Sequence, residues 1–336
     1  MQIENFGTMP DGKQVERITL QGGGLKATVL TYGSILQNLH LKGHAAPLVL
    51  GFDSFAPYLT HSPYFGATAG RCANRIRDGY LVLDGAVYQL DRNFLGKHHL
   101  HGGAKGIGKR LWQIAEVSSS ALKLEIALAD GEMGYPGNMQ VRLQIGLLSD
   151  GVLDIRFEAT SDATTLCNLA HHSYFNLDGS ADSGTHELRI AADAYLPVDA
   201  ELIPTGEVRS VAGSSFDFRK AKPINQVSAT EIIDHNFCVS NTRGPLRSVA
   251  GLYSPLSGVG MEVRSTEPGL QVYDGARVDV ELPGLNGAPM HAHAGIALEP
   301  QIWPDANHHT GFPQAILRAG SRYEQHTQYE FTKEAS

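Results

Sequence analysis

The sequence predicts an all-β protein, a large and mostly antiparallel sandwich. Three observations carry that prediction. Apolar and polar residues alternate over long stretches, Asp-Gly pairs sit between such stretches, and no segment holds apolar residues at three-four spacing over four turns. Alternation sends one set of side chains to a core face and the other set outward, as a half-buried antiparallel sheet requires. The 37 Gly and 16 Pro are spread along all 336 residues, enough to turn the chain many times.

In chain order, Asp53–Leu59 reads as a short helix. Tyr80–Leu83 and Ala86–Leu90 read as a hairpin, because Asp84-Gly85 favours the positive φ angles of a tight turn. Leu122, Leu124, Ile126 and Leu128 alternate with polar residues, as do Val141 to Leu147 and Leu153 to Ala159. The last two runs are joined through Ser149-Asp150-Gly151, a second hairpin signal. Asn168–Phe175 alternates around an apolar frame and reads as a strand, so His171 and His172 point to opposite faces. Ala229–Ile233 reads as one helical turn and 281–294 as a long surface connection. The apolar lead-in Gly295-Ile-Ala-Leu places Glu299 near the end of a strand, in a partly buried position. No Gly/Ser or Pro linker, repeat or low-complexity tract divides the chain, so a single domain over 1–336 is expected.

Composition excludes several classes. Hydrophobic residues make up 42% and charged residues 18%, which gives material for a large core and argues against whole-chain disorder. The formal charge is −8, and the nearest thing to a basic block, Lys105–Arg110, holds three positive charges. A nucleic-acid partner is therefore not expected. No apolar run approaches the ~18 residues of a membrane helix. The N-terminal residues lack the basic, apolar and cleavage regions of a secretory signal, so a cytoplasmic location is expected. Cys72, Cys167 and Cys238 are far apart and odd in number, which fits three reduced thiols better than a disulfide framework.

Fifteen histidines are the outlier, clustered at His98-His99-Leu100-His101, His171-His172, His291-Ala292-His293 and His308-His309. A metal site needs ligand spacing, and only His291 and His293 offer a pair, in the loop-like segment and without HExxH or a Cys partner. Acid-base chemistry has better company. His101 precedes Gly102-Gly103, a backbone that can approach a ligand closely. His172 lies among polar residues in an apolar frame, and burial of Glu299 would raise its pKa and make it a better base near neutral pH. Each of these residues also has a plain structural reading, as a satisfied core histidine or a solvated loop carboxylate. Spacing alone supports a β-protein with a His/Glu polar site.

Six ordered blocks add a resemblance. They are Gly70-Arg71 with Asn74-Arg75-Ile76, Leu100-His101-Gly102-Gly103, His172-Ser-Tyr-Phe-Asn176, Asp234-His-Asn-Phe237, Gly269-Leu-Gln-Val-Tyr273, and Leu298-Glu-Pro-Gln301 with Trp303-Pro-Asp305. The set resembles the aldose 1-epimerase (galactose mutarotase) family in order, over nearly the whole chain. The resemblance implies a β-supersandwich and an isomerase that interconverts the α and β anomers of a free aldose such as galactose or glucose, without cofactor or metal. It implies Glu299 as general base, His172 as general acid toward the ring oxygen, and His101 as a second histidine near that oxygen. Asn74, Arg75, Asp234, Gln271 and Tyr273 match substrate-binding positions. A monosaccharide is then the expected partner, and the protein a monomer or homodimer. One departure stands out: the family often has Asn before the catalytic histidine, where this chain has His171. A relative acting on hexose 6-phosphates would need further basic residues, and only Arg75 and Arg71 lie near the motifs. A non-catalytic carbohydrate-binding sandwich would need no paired acid and base.

Overall fold

The structure, a computed structural model, describes residues 2–62 and 64–334. It is built almost entirely of antiparallel strands in three principal sheets. A four-stranded sheet runs in sequence order through Gln2–Thr8, Gln14–Gly22, Leu25–Leu30 and Leu36–Leu41. A nine-stranded sheet is centred on Met139–Leu148, Val152–Ser161, Arg322–Lys333, Val259–Ser265 and Arg247–Ser254. A six-stranded sheet has the order Tyr174–Phe175, Ile296–Gln301, Gly269–Tyr273, Asp234–Cys238, Ala194–Tyr195, Arg209–Ser210. Among the described residues no helix is long and apolar enough to cross a membrane.

The alternating runs are the strands they suggest. Ala121–Leu128, Met139–Leu148 and Val152–Ser161 pair as neighbours, with Leu124 opposite Leu143 and Leu143 opposite Phe157 on the core face. Asp150 and Gly151 turn with φ of 60° and 76°, and Asp84 and Gly85 with 50° and 81°, the positive values that the hairpins require.

The six-stranded sheet positions the site, and its two faces differ chemically. Phe175, Ile296, Leu298, Leu270, Val272 and Phe237 face the nine-stranded sheet and join its side chains in one core. Each such burial contributes about 1.5–3 kcal/mol. The opposite face carries Tyr174, Glu299, Gln271, Tyr273 and Asp234, set side by side by the register Gln271↔Glu299, Tyr273↔Ala297, Asp234↔Tyr273 and Tyr174↔Ala297. Both faces are covered, so every residue of Ile296–Gln301 is buried.

Four expectations are corrected. The first helix spans Ala56–Thr60, starting later than Asp53 where Pro57 fits the first turn. The second helical turn is at Asn225–Ser228 and not at Ala229–Ile233, because Ile233 is drawn into the core and its N–H donates to the Asp274 carboxylate at 3.2 Å. Asn168–Phe175 is two short strands, since Ser173 interrupts it: Ala170–His172 pairs with Ala67–Ala69, and Tyr174–Phe175 with Ile296–Gln301. The segment 281–294 is irregular as expected, but it is pinned by buried Leu285 and Met290 and so is only partly a surface connection.

Candidate active site

A cavity of about 260 Å³ opens on the polar face of the six-stranded sheet. All eight residues singled out from the sequence line it: Asn74, Arg75, His101, His172, Asp234, Gln271, Tyr273 and Glu299. Three elements supply them. Glu299, Gln271, Tyr273 and Asp234 come from adjacent strands of the sheet. His172 ends the strand Ala170–His172. Asn74, Arg75 and His101 come from a two-residue ladder in which Arg75 pairs with Leu100, leaving Asn74 and His101 facing each other beyond its end.

That last junction is held by reciprocal bonds. The backbone N–H of His101 donates to Asn74 O at 3.1 Å, and the N–H of Asn74 donates to Nδ1 of His101 at 3.2 Å. Asn74 Oδ1 accepts from the N–H of Arg75 at 2.8 Å. Asn74 and His101 both take positive φ, 64° and 49°, uncommon for non-glycine residues but better tolerated by Asn and His than by bulkier ones, and the local bonds fix it. Because Nδ1 of His101 accepts, the proton of the neutral ring sits on Nε2, which is then a fixed donor. Burial and the neighbouring His172 hold His101 well below the ordinary imidazole range, so it stays neutral. Gly102-Gly103 serves a different contact from the one expected. A side chain on Gly102 would strike Gly70 O, so the glycine permits backbone against backbone rather than backbone against ligand.

The centre of the cavity is the pair His172 and Glu299. Nε2 of His172 lies 3.5 Å from Oε1 of Glu299, and Glu299 is 2% exposed. Burial raises the Glu299 carboxyl well above the usual range; Asp234 adds to that and Arg75 opposes it. Burial pushes His172 down to about 4. The Glu299 oxygen Oε2 and the His172 nitrogen Nδ1 are buried without a hydrogen-bond partner among the described residues. Around the rim of this pair, Asp234 accepts from Gln271 Nε2 at 2.6 Å and from Arg75 Nη2 at 3.3 Å. The Arg75 guanidinium also lies over the Phe94 ring, 4.8 Å from its centroid.

His171 goes the other way. It is buried toward the core, bonded through Nε2 to Ser173 Oγ at 2.7 Å, with its ring centroid 6.1 Å from that of Tyr329. The opposite-face expectation holds for the two histidines even though the strand breaks at Ser173. Arg71 does not reach the cavity: its guanidinium donates to the carbonyls of Pro136, Gly137 and Ala129. His291 and His293 are not on a strand and do not come together with a third ligand; His293 Nδ1 lies 3.1 Å from Asp274 O. Among the described residues no group of three or more His, Cys, Asp or Glu side chains is arranged around a common metal position. The three cysteines are free thiols.

Sequence reading missed Tyr64, Phe94 and Arg277, which also line the cavity, and gave Leu100 no role beyond its place in a motif. They come from loops and short ladders without periodicity, and no local signal marks them. A larger cavity of about 400 Å³ between residues 45–51, 176–180 and 284–294 is lined by no titratable side chain.

Comparison with known proteins shows the family of the chain. The family model described as aldose 1-epimerase matches residues 16–330. The chain is 41% identical to a galactose mutarotase of Bos taurus and 40% identical to that of Homo sapiens, each over 97% of both chains. It is 34% identical to an aldose 1-epimerase of Escherichia coli, over 99% of this chain and all of the other. Among solved structures, an aldose epimerase homologue from C. elegans superposes with a TM-score of 0.89 at 30% identity, covering 95% of this chain and 99% of that one. A galactose 1-epimerase from Lactobacillus acidophilus superposes at 0.85 and 26% identity, covering 99% of each.

Proposed function

The chain belongs to the aldose 1-epimerase family and is an isomerase of cyclic aldoses, and from that premise we propose that Glu299 and His172 are its acid-base pair, with His101 as a fixed donor beside them. The observation that carries this is the 3.5 Å approach of His172 Nε2 to Glu299 Oε1, both side chains buried at the base of the cavity. In ring opening, the Glu299 carboxylate takes the proton of the anomeric hydroxyl. The C1–O1 bond becomes a carbonyl, the C1–O5 bond breaks, and O5 takes the proton of the His172 imidazolium. After rotation about C1–C2 the other carbonyl face meets O5. Closure returns the O5 proton to His172, while O1 takes the proton from Glu299. Nothing is consumed, and each positioned transfer contributes typically ~10²–10⁴ in rate.

The electrostatics fit this cycle. Burial raises Glu299 and lowers His172, so while the pair carries one proton that proton favours Glu299, which leaves both groups uncharged. That is the tautomer ring closure uses. Ring opening starts from the charge-separated tautomer, which differs only by one proton moved within the pair. The Nε2–H of His101 and the Arg75 guanidinium, held by Asp234, are donors already in place for the oxygens of the sugar.

The proposed ligands of the sugar are Asn74, Arg75, Asp234, Gln271 and Tyr273, with the aromatic faces of Tyr273 and Tyr174 suited to the apolar side of a pyranose. We read the substrate as a free aldose such as galactose or glucose. Arg71 is spent on backbone carbonyls, Arg75 is held by Asp234 and Lys109 lies over the Tyr64 ring, so among the described residues no cluster of uncommitted cations faces the cavity as a phosphate dianion would need. We further propose one catalytic domain over 1–336, a cytoplasmic location, and a monomer or homodimer that needs no cofactor or nucleic acid. Polarimetry on freshly dissolved α-D-galactose and α-D-glucose tests the activity: faster mutarotation is expected, and an unchanged rate would leave only a carbohydrate-binding module.

A further inference from the structure

Tyr64 is the cavity residue with the least ordinary backbone. Its φ is +68°, a region that bulky L residues avoid. Three hydrogen bonds among the described residues hold the backbone near it. Ser62 Oγ accepts from the N–H of Phe65 at 3.0 Å, Tyr64 O accepts from the N–H of Ala67 at 3.0 Å, and the N–H of Gly66 donates to His172 O at 3.0 Å. Phe65 is fully buried against Phe52 and Tyr174. The strained residue therefore separates an anchored ring from a second ring sent to the cavity.

That second ring meets both histidines. The Tyr64 centroid is 4.6 Å from that of His101 and 5.9 Å from that of His172, inclined only 24° to the latter. The two imidazoles are 5.2 Å apart at 73°. Lys109 Nζ stands 5.3 Å from the Tyr64 centroid, a cation–π contact that loads the ring further. Strain retained at a site persists where the surroundings over-determine it, and here these hydrogen bonds and ring contacts together hold the Tyr64 ring in place.

We propose that Tyr64 is a positioning residue, whose ring fixes the planes of His101 and His172 and keeps water from them. This rests on the acid-base reading of His172 given above. It goes beyond that reading by assigning part of the rate to a residue that transfers no proton. The ring and not the hydroxyl is what acts, since the contacts are ring to ring.

The test compares Tyr64→Phe, Tyr64→Gly and Tyr64→Ala in mutarotation assays across pH, with His172→Asn alongside. Tyr64→Gly suits the positive φ, so it separates loss of the ring from a folding defect. The groups facing His172 are Glu299, His101, Tyr64 and Tyr174, with Asp234 and Arg75 acting electrostatically and His171 next in the chain. Tyr64→Phe should keep kcat and the pH profile. Tyr64→Gly and Tyr64→Ala should lose at least about tenfold in kcat, as misplacement of a reacting group does. Their acid limb should move up from near 4 toward the ordinary ~6.5 of a hydrated imidazole. Wild-type kcat and acid limb in Tyr64→Gly would overturn the proposal, as would a Tyr64→Phe variant as slow as Tyr64→Gly. A fully active His172→Asn would instead overturn the acid-base reading beneath it.

Discussion

His172 and Glu299 meet at 3.5 Å with their acidities pushed toward one another, the imidazole down to about 4 and the carboxyl up. A proton can therefore pass between them through a sugar without either group being a strong acid or base in isolation. The pair works while it carries one proton. A second proton, on His172, stops it on the acid side, and loss of the proton from Glu299 stops it on the alkaline side. We expect a bell-shaped profile of kcat/KM, with activity retained at pH 5 and an alkaline limb well above the ordinary carboxylate range. A profile falling through an imidazole of unshifted pKa near ~6.5 would contradict this assignment.

Glu299→Gln keeps the size and removes the proton acceptor. Because burial already disfavours the charged carboxylate here, the amide enters the buried position at little cost, and the melting temperature should stay close to wild type. The kcat should fall by at least ~10². Near-wild-type mutarotation in this variant would remove Glu299 from the mechanism.

Asp234 holds Arg75 at 3.3 Å and Gln271 at 2.6 Å, so it sets the positions of two proposed sugar donors. Asp234→Asn leaves the Arg75 charge without its partner. KM should rise by about tenfold, and Arg75→Lys, which cannot present a fork of donors, should do the same. Combining the two changes should cost less than the sum of the single costs, because they share one interaction. Full additivity in that double-mutant cycle would show that the ion pair does not organise binding.

The metal-free reading makes its own forecast. Activity should survive prolonged dialysis against EDTA. Loss of activity, restored by added zinc, would bring His291 and His293 forward as ligands.

The parts of this molecule legible from sequence are those where one periodic rule decides. Leu122 to Leu128 and Leu153 to Ala159 alternate because one sheet face is core, and Asp150-Gly151 turns because its neighbours pair. On the site face the residue pattern alone points to Glu299, where an apolar run ends in a carboxylate, while Asp234, Gln271 and Tyr273 are legible only through the motif resemblance. Other features depend on distant partners. Ser173 splits a continuous-looking strand because Ala170–His172 and Tyr174–Phe175 bond to different sheets. Ile233 leaves the expected helical turn for the core and the Asp274 carboxylate. Gly102 is small because Gly70 O lies against it. Tyr64, Phe94 and Arg277 reach the cavity from irregular backbone, which no period describes.

The adjacent histidines give the sharpest separation of chemistry from packing. His172 faces the cavity, whereas His171 is buried on the core side against Tyr329 and bonded to Ser173. Burial lowers His171 to about 3, far below its unfolded value of ~6.5. The sign follows: the unfolded chain binds a proton here that the folded chain refuses. His171 therefore favours folding fully above ~6.5 and progressively less as pH falls toward 3. His171→Asn removes this titration, so the loss of stability between pH 6.5 and pH 4 should be shallower than in wild type, measured by thermal or urea unfolding. The same variant should keep most mutarotase activity at pH 7, since His171 does not line the cavity. His172→Asn should lose most of its kcat, because the amide cannot deliver a proton to the ring oxygen. Were His171→Asn inactive and His172→Asn active, the acid would be His171 and the orientation of the two side chains would have to be reversed.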